Sequence, residues 1–155
     1  MWREAKSAAQ GETPKGGRQT GNHLLVRSGE LVCALPLGAV RRVVRALPVH
    51  PLPGAGPALR GLAEFAGEPL PVLDLSRLVG APPGAQSSYP VTVVVWAGPV
   101  DARETVGLAA DAALAVAEVS PGALVGGDGA LVRGEAAIGG QVVRVLDLEA
   151  LGRDR

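Results

Sequence analysis

Gly61-Leu62-Ala63-Glu64-Phe65-Ala66-Gly67-Glu68-Pro69-Leu70-Pro71-Val72-Leu73-Asp74-Leu75 is the stretch that decides the architecture, because the chain writes its frame twice. Gly134, Gly140, Val145-Leu146-Asp147-Leu148 and Leu151 repeat Gly61, Gly67, Val72-Leu73-Asp74-Leu75 and Leu78 at a constant offset of 73 residues. Pro121 repeats Pro48 at the same offset. Each copy reads as strand, glycine turn, strand and a short helix opened by an aspartate. An aspartate at that place accepts the unpaired amide hydrogens of a first helical turn. Two similar β units follow from the repeat.

Working outward, Leu24-Leu25-Val26 and Leu31-Val32-Cys33-Ala34-Leu35 are strand candidates joined by the turn Ser28-Gly29-Glu30. Val40 to Leu47 is a further strand, and Ala39 with its neighbours allows a brief helical turn before it. Pro48, Pro51, Pro53 and Pro57 then impose a loop, since each lacks an amide donor. Leu59 to Phe65 and Leu70 to Leu73 form the pair around Gly67, with Gly61 marking a bulge or a close approach. Gly80 to Pro90 is a loop, and Val91 to Ala97 is a β-branched strand. Thr105 to Ala109 and Ala113 to Val119 follow as strands, the latter despite its alanines, because the turns around it leave no room for a stable helix. Gly126-Gly127-Asp128-Gly129 is a turn, and Leu131 to Ile138 and Gln141 to Leu146 close the second copy.

Hydrophobic residues make up 47% of the chain and charged residues 19%, with no formal net charge. That supplies an ample, largely aliphatic core, the aromatics being Phe65, Tyr89, Trp2 and Trp96. A nucleic-acid-binding domain needs a basic stripe and stacking platforms. The nearest approach is Arg41, Arg42 and Arg45 on a Val-rich segment, so nucleic acid is not expected as a partner. Cys33 is the single cysteine and excludes an internal disulfide; its apolar run reads as buried. No N-terminal apolar segment resembles a signal peptide and no run is long enough to span a bilayer, so the expected compartment is the cytosol, without direct membrane insertion.

No constellation for chemistry emerges. His23 reads as a solvated terminal residue and His50 as a loop residue, and neither has the ligand partners that a metal needs. Gly54-Ala55-Gly56 lacks a dinucleotide fingerprint, and Gly126-Gly127-Asp128-Gly129 lacks the lysine of a phosphate loop. Cys33 with His50, or Ser76 with His23, has no nucleophile elbow around it. Asp74 and Asp147 form a carboxylate pair only if the repeats face one another; a cap explains each independently. The expectation is a non-enzymatic chain with no cofactor.

The stretch from Gly61 to Leu75 resembles the central signature of CheW-like domains, and the resemblance runs over about residues 23–152. It includes the opening strand pair, the strand holding Val40, the Pro-rich approach to Gly61, Val106-Gly107-Leu108-Ala109-Ala110-Asp111 and the final Val145-Leu146-Asp147-Leu148. The resemblance implies an all-β fold of two intertwined or closely packed five-stranded SH3-like subdomains with short helices. Residues 1–22, small, polar and Gly-rich, read as a flexible tail, the domain spans 23–152 and a short tail covers 153–155. The resemblance implies an adaptor between the regulatory domain of a CheA-type histidine kinase and chemoreceptor tips, assembled with other CheW-like proteins in an array near the membrane. In that family a receptor-facing groove lies between the subdomains, and separate barrel surfaces meet the kinase. Val40, Gly61, Ala66 and Gly67 match positions tied to receptor coupling or the fold around it. Two departures stand out: the family commonly has Arg at the place of Ala66 and Asn at the place of Glu64. Alanine has neither the stem nor the donor fork of arginine. A kinase-binding scaffold without conventional receptor coupling is therefore the first alternative. An unrelated small-molecule-binding β protein, with a pocket between its repeats, is the second.

Overall fold

The computed structural model describes residues 21–80, 89–127 and 131–154. The strands are β1 (Gly21–Ser28), β2 (Leu31–Pro36), β3 (Val40–Arg45), β4 (Leu59–Phe65), β5 (Glu68–Asp74), β6 (Val91–Ala97), β7 (Glu104–Ala110), β8 (Ala112–Val119), β9 (Val132–Ile138) and β10 (Gln141–Leu146). One α-helical turn, α1 (Leu75–Leu78), follows β5, and a 3-10 helix (Leu148–Asp154) follows β10. The strands form two five-stranded sheets, ordered β8-β1-β2-β10-β9 (sheet A) and β3-β6-β7-β5-β4 (sheet B). This is the all-β, double SH3-like arrangement that the resemblance implies.

The duplication survives at the level of single hydrogen bonds. β5 pairs in parallel with β7 through Val72 and Gly107, and β10 with β2 through Val145 and Ala34, the same offset on both strands. Asp74 N donates to Ala58 O at 2.8 Å, and Asp147 N donates to Leu131 O at 2.7 Å. Bulges recur too. Arg60 is the extra residue of β4 and Arg133 that of β9, whereas Arg41 is the extra residue of β3 and Leu114 that of β8. Both halves also fold the loop after the first edge strand back onto the last strand, through His50 on Leu62 and Val125 on Glu135. The loop thereby satisfies amide and carbonyl groups that an open edge would leave unpaired.

Three clusters make up the core. Val32, Ala34, Val143 and Val145 fill sheet A's own barrel, and Leu70, Val72, Val94 and Ala109 fill sheet B's. Between the barrels lies the largest cluster, to which Leu24, Val26, Cys33, Leu35 and Leu146 come from one side and Leu73, Leu75, Val93, Val95, Val106 and Leu108 from the other. Strands buried on both faces must read as continuous apolar runs, which explains Leu31–Leu35 and Val91–Val95. Polar ties cross the same boundary. Ser28 Oγ and Ser76 Oγ share a buried hydrogen bond of 2.7 Å, Gly98 N donates to Leu148 O at 2.9 Å, and Arg144 Nη1 donates to Val79 O at 3.3 Å.

Several expectations need correction. His23 is not solvated: it is 3% exposed, paired within β1, with its ring Nδ1 3.0 Å from Gly21 O. β1 starts at Gly21, ahead of the expected His23, and the 3-10 helix runs through Arg153 to Asp154, into the stretch read as a tail. The rest of that N-terminal tail, the centre of the Gly80 to Pro90 loop and Asp128-Gly129 lie outside the described residues. The second aspartate opens a short helix as expected, one of the 3-10 kind.

Candidate functional site

The β4–β5 hairpin gathers three of the four expected site residues. Phe65 pairs with Glu68, leaving Ala66 and Gly67 as a two-residue turn. Their φ angles are 53° and 81°, the double left-handed geometry of a type I′ hairpin. In the second half the same turn is Gly139-Gly140, at 60° and 81°. Ala66 is thus an exposed alanine in a backbone state that favours glycine.

Gly61 sits five residues back on β4, buried, at φ 145°. A Cβ there would collide with the carbonyl oxygen of His50 and lie 2.7 Å from its carbon. Only glycine lets the proline-rich loop lie flat on β4, where His50 N donates to Leu62 O at 2.8 Å and Leu62 N donates to His50 O at 3.0 Å. The loop and hairpin together wall an open, mainly apolar groove lined by Pro48, His50, Leu62, Glu64, Gly67 and Pro69, among others. Glu64 and Glu68 are exposed on its rim.

Val40 does not join this group. It opens β3, at the far edge of sheet B from β4, and packs partly buried against the central core. A resemblance read position by position cannot show that three strands separate the two places.

Behind the hairpin, Asp74 is a buried hub. It accepts Ser76 N at 3.0 Å and Arg77 N at 3.4 Å as the cap of α1, and Tyr89 Oη donates to it at 2.6 Å. Arg77 Nε stands 3.6 Å from the same carboxylate. Arg60, the bulge residue of β4, lies 4.5 Å over the Tyr89 ring. Burial, with the Asp74 carboxylate adding to it, pushes the Tyr89 hydroxyl up to about 12. Asp147, by contrast, makes a single exposed cap bond to Glu149 N at 3.1 Å. Each aspartate thus caps the helical turn that follows its own strand.

Cys33 is fully buried and its thiol is pushed up to about 12 by that burial, so it has no thiolate to offer at neutral pH. Ser76 Oγ is occupied by Ser28. Burial lowers the pKa of His23, and the nearby Arg133 adds to the effect against the Gly21 carbonyl. Among the described residues no group of three or more His, Cys, Asp or Glu side chains could hold a metal, and no helix is long and apolar enough to cross a membrane. Sequence reasoning missed the second aromatic cluster. Arg41 lies 4.6 Å and Arg103 5.0 Å from the Trp96 ring centroid, and Arg41 Nη1 donates to Thr105 Oγ1 at 3.0 Å. The bulge that aims Arg41 is set by strand register, which no local signal announces.

The groove and the doubled barrel can be set beside known proteins. The solved structure of the scaffolding protein TtCheW from Thermoanaerobacter tengcongensis is similar to the chain with a TM-score of 0.70 at 20% identity, covering 85% of this chain and 92% of that one. No curated protein matches the chain. The model of the CheW-like domain matches residues 22–155, nearly the whole described fold, and the chain accordingly belongs to the CheW-like domain family.

Proposed function

We propose that the chain is a non-enzymatic adaptor in chemotaxis-type signalling, coupling a CheA-type histidine kinase to chemoreceptor tips by binding alone. The observation that carries this reading is the match of the CheW-like domain across residues 22–155. The site agrees with it: the hairpin offers an open groove of backbone, proline and carboxylate rather than a set of converging catalytic groups. Recruitment to membrane-associated arrays and contact with other CheW-like proteins belong to the same reading. Titration of folded protein with the kinase regulatory domain and with a receptor tip is the test. Binding to neither rejects the adaptor role.

A second reading is favoured by Ala66. An exposed methyl at the tip of the β4–β5 turn, with carboxylates at Glu64 and Glu68 beside it, presents no cation to a receptor. In this reading the chain keeps its kinase contact and has lost conventional receptor coupling. Ala66→Arg then leaves kinase binding unchanged and strengthens receptor binding by roughly the value of an exposed charged contact, under about 1 kcal/mol. No gain in receptor binding counts against the missing arginine as the cause. The openness of the groove speaks against the small-molecule reading, since a ligand site of that kind buries most of its ligand.

A further inference from the structure

The two halves of the duplication build the same bulged edge and finish it differently. β8 fills its bulge with Leu114 and continues through Ala115 to Glu118. β3 fills the equivalent bulge with Arg41 and continues through Arg42 to Arg45. On the neighbouring strand, register puts Arg27 in the first half where Trp96 stands in the second. The backbone therefore makes this edge without an arginine cluster and without a tryptophan, so neither is a requirement of the fold. Arg41, Arg42, Arg45 and Arg103 are all exposed. No ion pair holds Arg42 or Arg45 among the described residues. Arg41 is fixed between the Trp96 ring and Thr105, which removes much of the side-chain entropy that a contact would otherwise cost. Arg42 pairs with Val94 on the face of β6 that carries Trp96, Arg45 pairs with Val91 on the other face, and both line the β3 edge, while Glu104 pairs with Ala97 beyond Trp96.

We propose that the β3 edge, with the Arg41–Trp96–Arg103 stack as its rigid anchor, docks an acidic segment of a partner protein. Arginine and tryptophan are the residues most enriched where interface energy concentrates, and four cations select carboxylates. A nucleic-acid strand fits less well: the Trp96 ring already carries two guanidinium groups, which a base would have to displace or share the ring with. The inference is argued from the arginines and Trp96 and not from the adaptor reading, although Val40, which opens this strand, is one of the positions that the resemblance ties to receptor coupling.

Trp96 reports on its own surroundings once Trp2 is replaced by Phe. Titrating that protein with a short synthetic peptide alternating Glu with Thr is expected to change its emission saturably, while the Lys/Thr analogue gives no change. Raising the salt weakens the binding, since the contacts are exposed. Arg42→Glu with Arg45→Glu, which leaves the stack intact, weakens it roughly tenfold or more. Leu114→Glu, at the matching bulge of β8, leaves it unchanged. Equal response to both peptides, no response to either, or full binding by the Arg42→Glu/Arg45→Glu protein overturns the proposal. Tighter binding of a single-stranded oligonucleotide than of the acidic peptide overturns it in favour of nucleic acid. Self-association in sedimentation that the same double variant abolishes would make a second copy the occupant and overturn it as well. The adaptor reading is scored separately, by the kinase and receptor titrations of the unsubstituted protein.

Discussion

A single methyl group at position 61 would meet the carbonyl of His50, and the loop that closes the barrel would have to lift. Gly61→Ala is expected to cost about 3 kcal/mol, from the positive φ and the clash together, measured by urea denaturation. A loss below about 0.5 kcal/mol would mean that the loop is free to move and that the groove is not built by it. Ala66 is the opposite case. Glycine relieves the left-handed strain there, so Ala66→Gly should raise stability by about 1 kcal/mol, an unchanged midpoint being the contrary result. The caps differ in the same spirit. Asp74→Ala removes the acceptor of two amides and of the Tyr89 hydroxyl, whereas Asp147→Ala removes an exposed bond. About 3 kcal/mol against about 1 is the expected contrast. His23 adds a pH dependence of known sign. Its folded pKa lies below the ordinary histidine value of 6.5, so the unfolded chain takes up the proton first. Stability is therefore complete above that value and falls as the pH drops through it, and His23→Gln should flatten the slope seen in thermal midpoints.

β1 and α1 belong to different barrels and meet through the buried Ser28–Ser76 pair. Removing one hydroxyl leaves its partner unsatisfied, so either single Ser→Ala change is expected to cost more than half of the double change, a non-additivity that a double-mutant cycle in denaturant reads directly. Additive costs would show that water replaces the lost partner. Such ties explain what was and was not legible in the sequence. Glycine turns, the aspartate cap of α1 and the apolar strands rest on local chemistry, and the sequence announced them through Gly67, Gly140, Asp74 and Val91 to Ala97. The β8 alanines were readable only from their neighbours. The burial of His23, the reach of Tyr89 back to Asp74, and the Arg41–Trp96 stack depend on which strand lies beside which. Val40 shows the limit most clearly, since matching a family position did not bring it to the Gly61 hairpin. Glu68 needed the groove to acquire any meaning.

The repeat boundary and the sheet boundary do not coincide. The first repeat, β1 to β5, gives two strands to sheet A and three to sheet B, and the second repeat supplies the rest of both. Cut between β5 and β6, each half lacks strands for either sheet. Circular dichroism should find both halves unfolded alone and β structure restored on mixing; a native spectrum from one half would refute the interdependence. The central core makes the same demand, so Cys33 should react with thiol reagents only as fast as the whole molecule opens. A different consequence concerns the order in which a ribosome delivers these strands. Every strand of sheet B, β3 to β7, lies between Val40 and Ala110, whereas sheet A begins at Gly21 and ends at Leu146. Sheet B can close while the chain is still being made. The β1–β2 hairpin, already synthesised, must wait with Val32 and Ala34 uncovered until β10 emerges to pair with β2. The last-made strand thus completes the sheet that was begun first, and a nascent chain stalled before Leu146 would hold one finished barrel and one open edge.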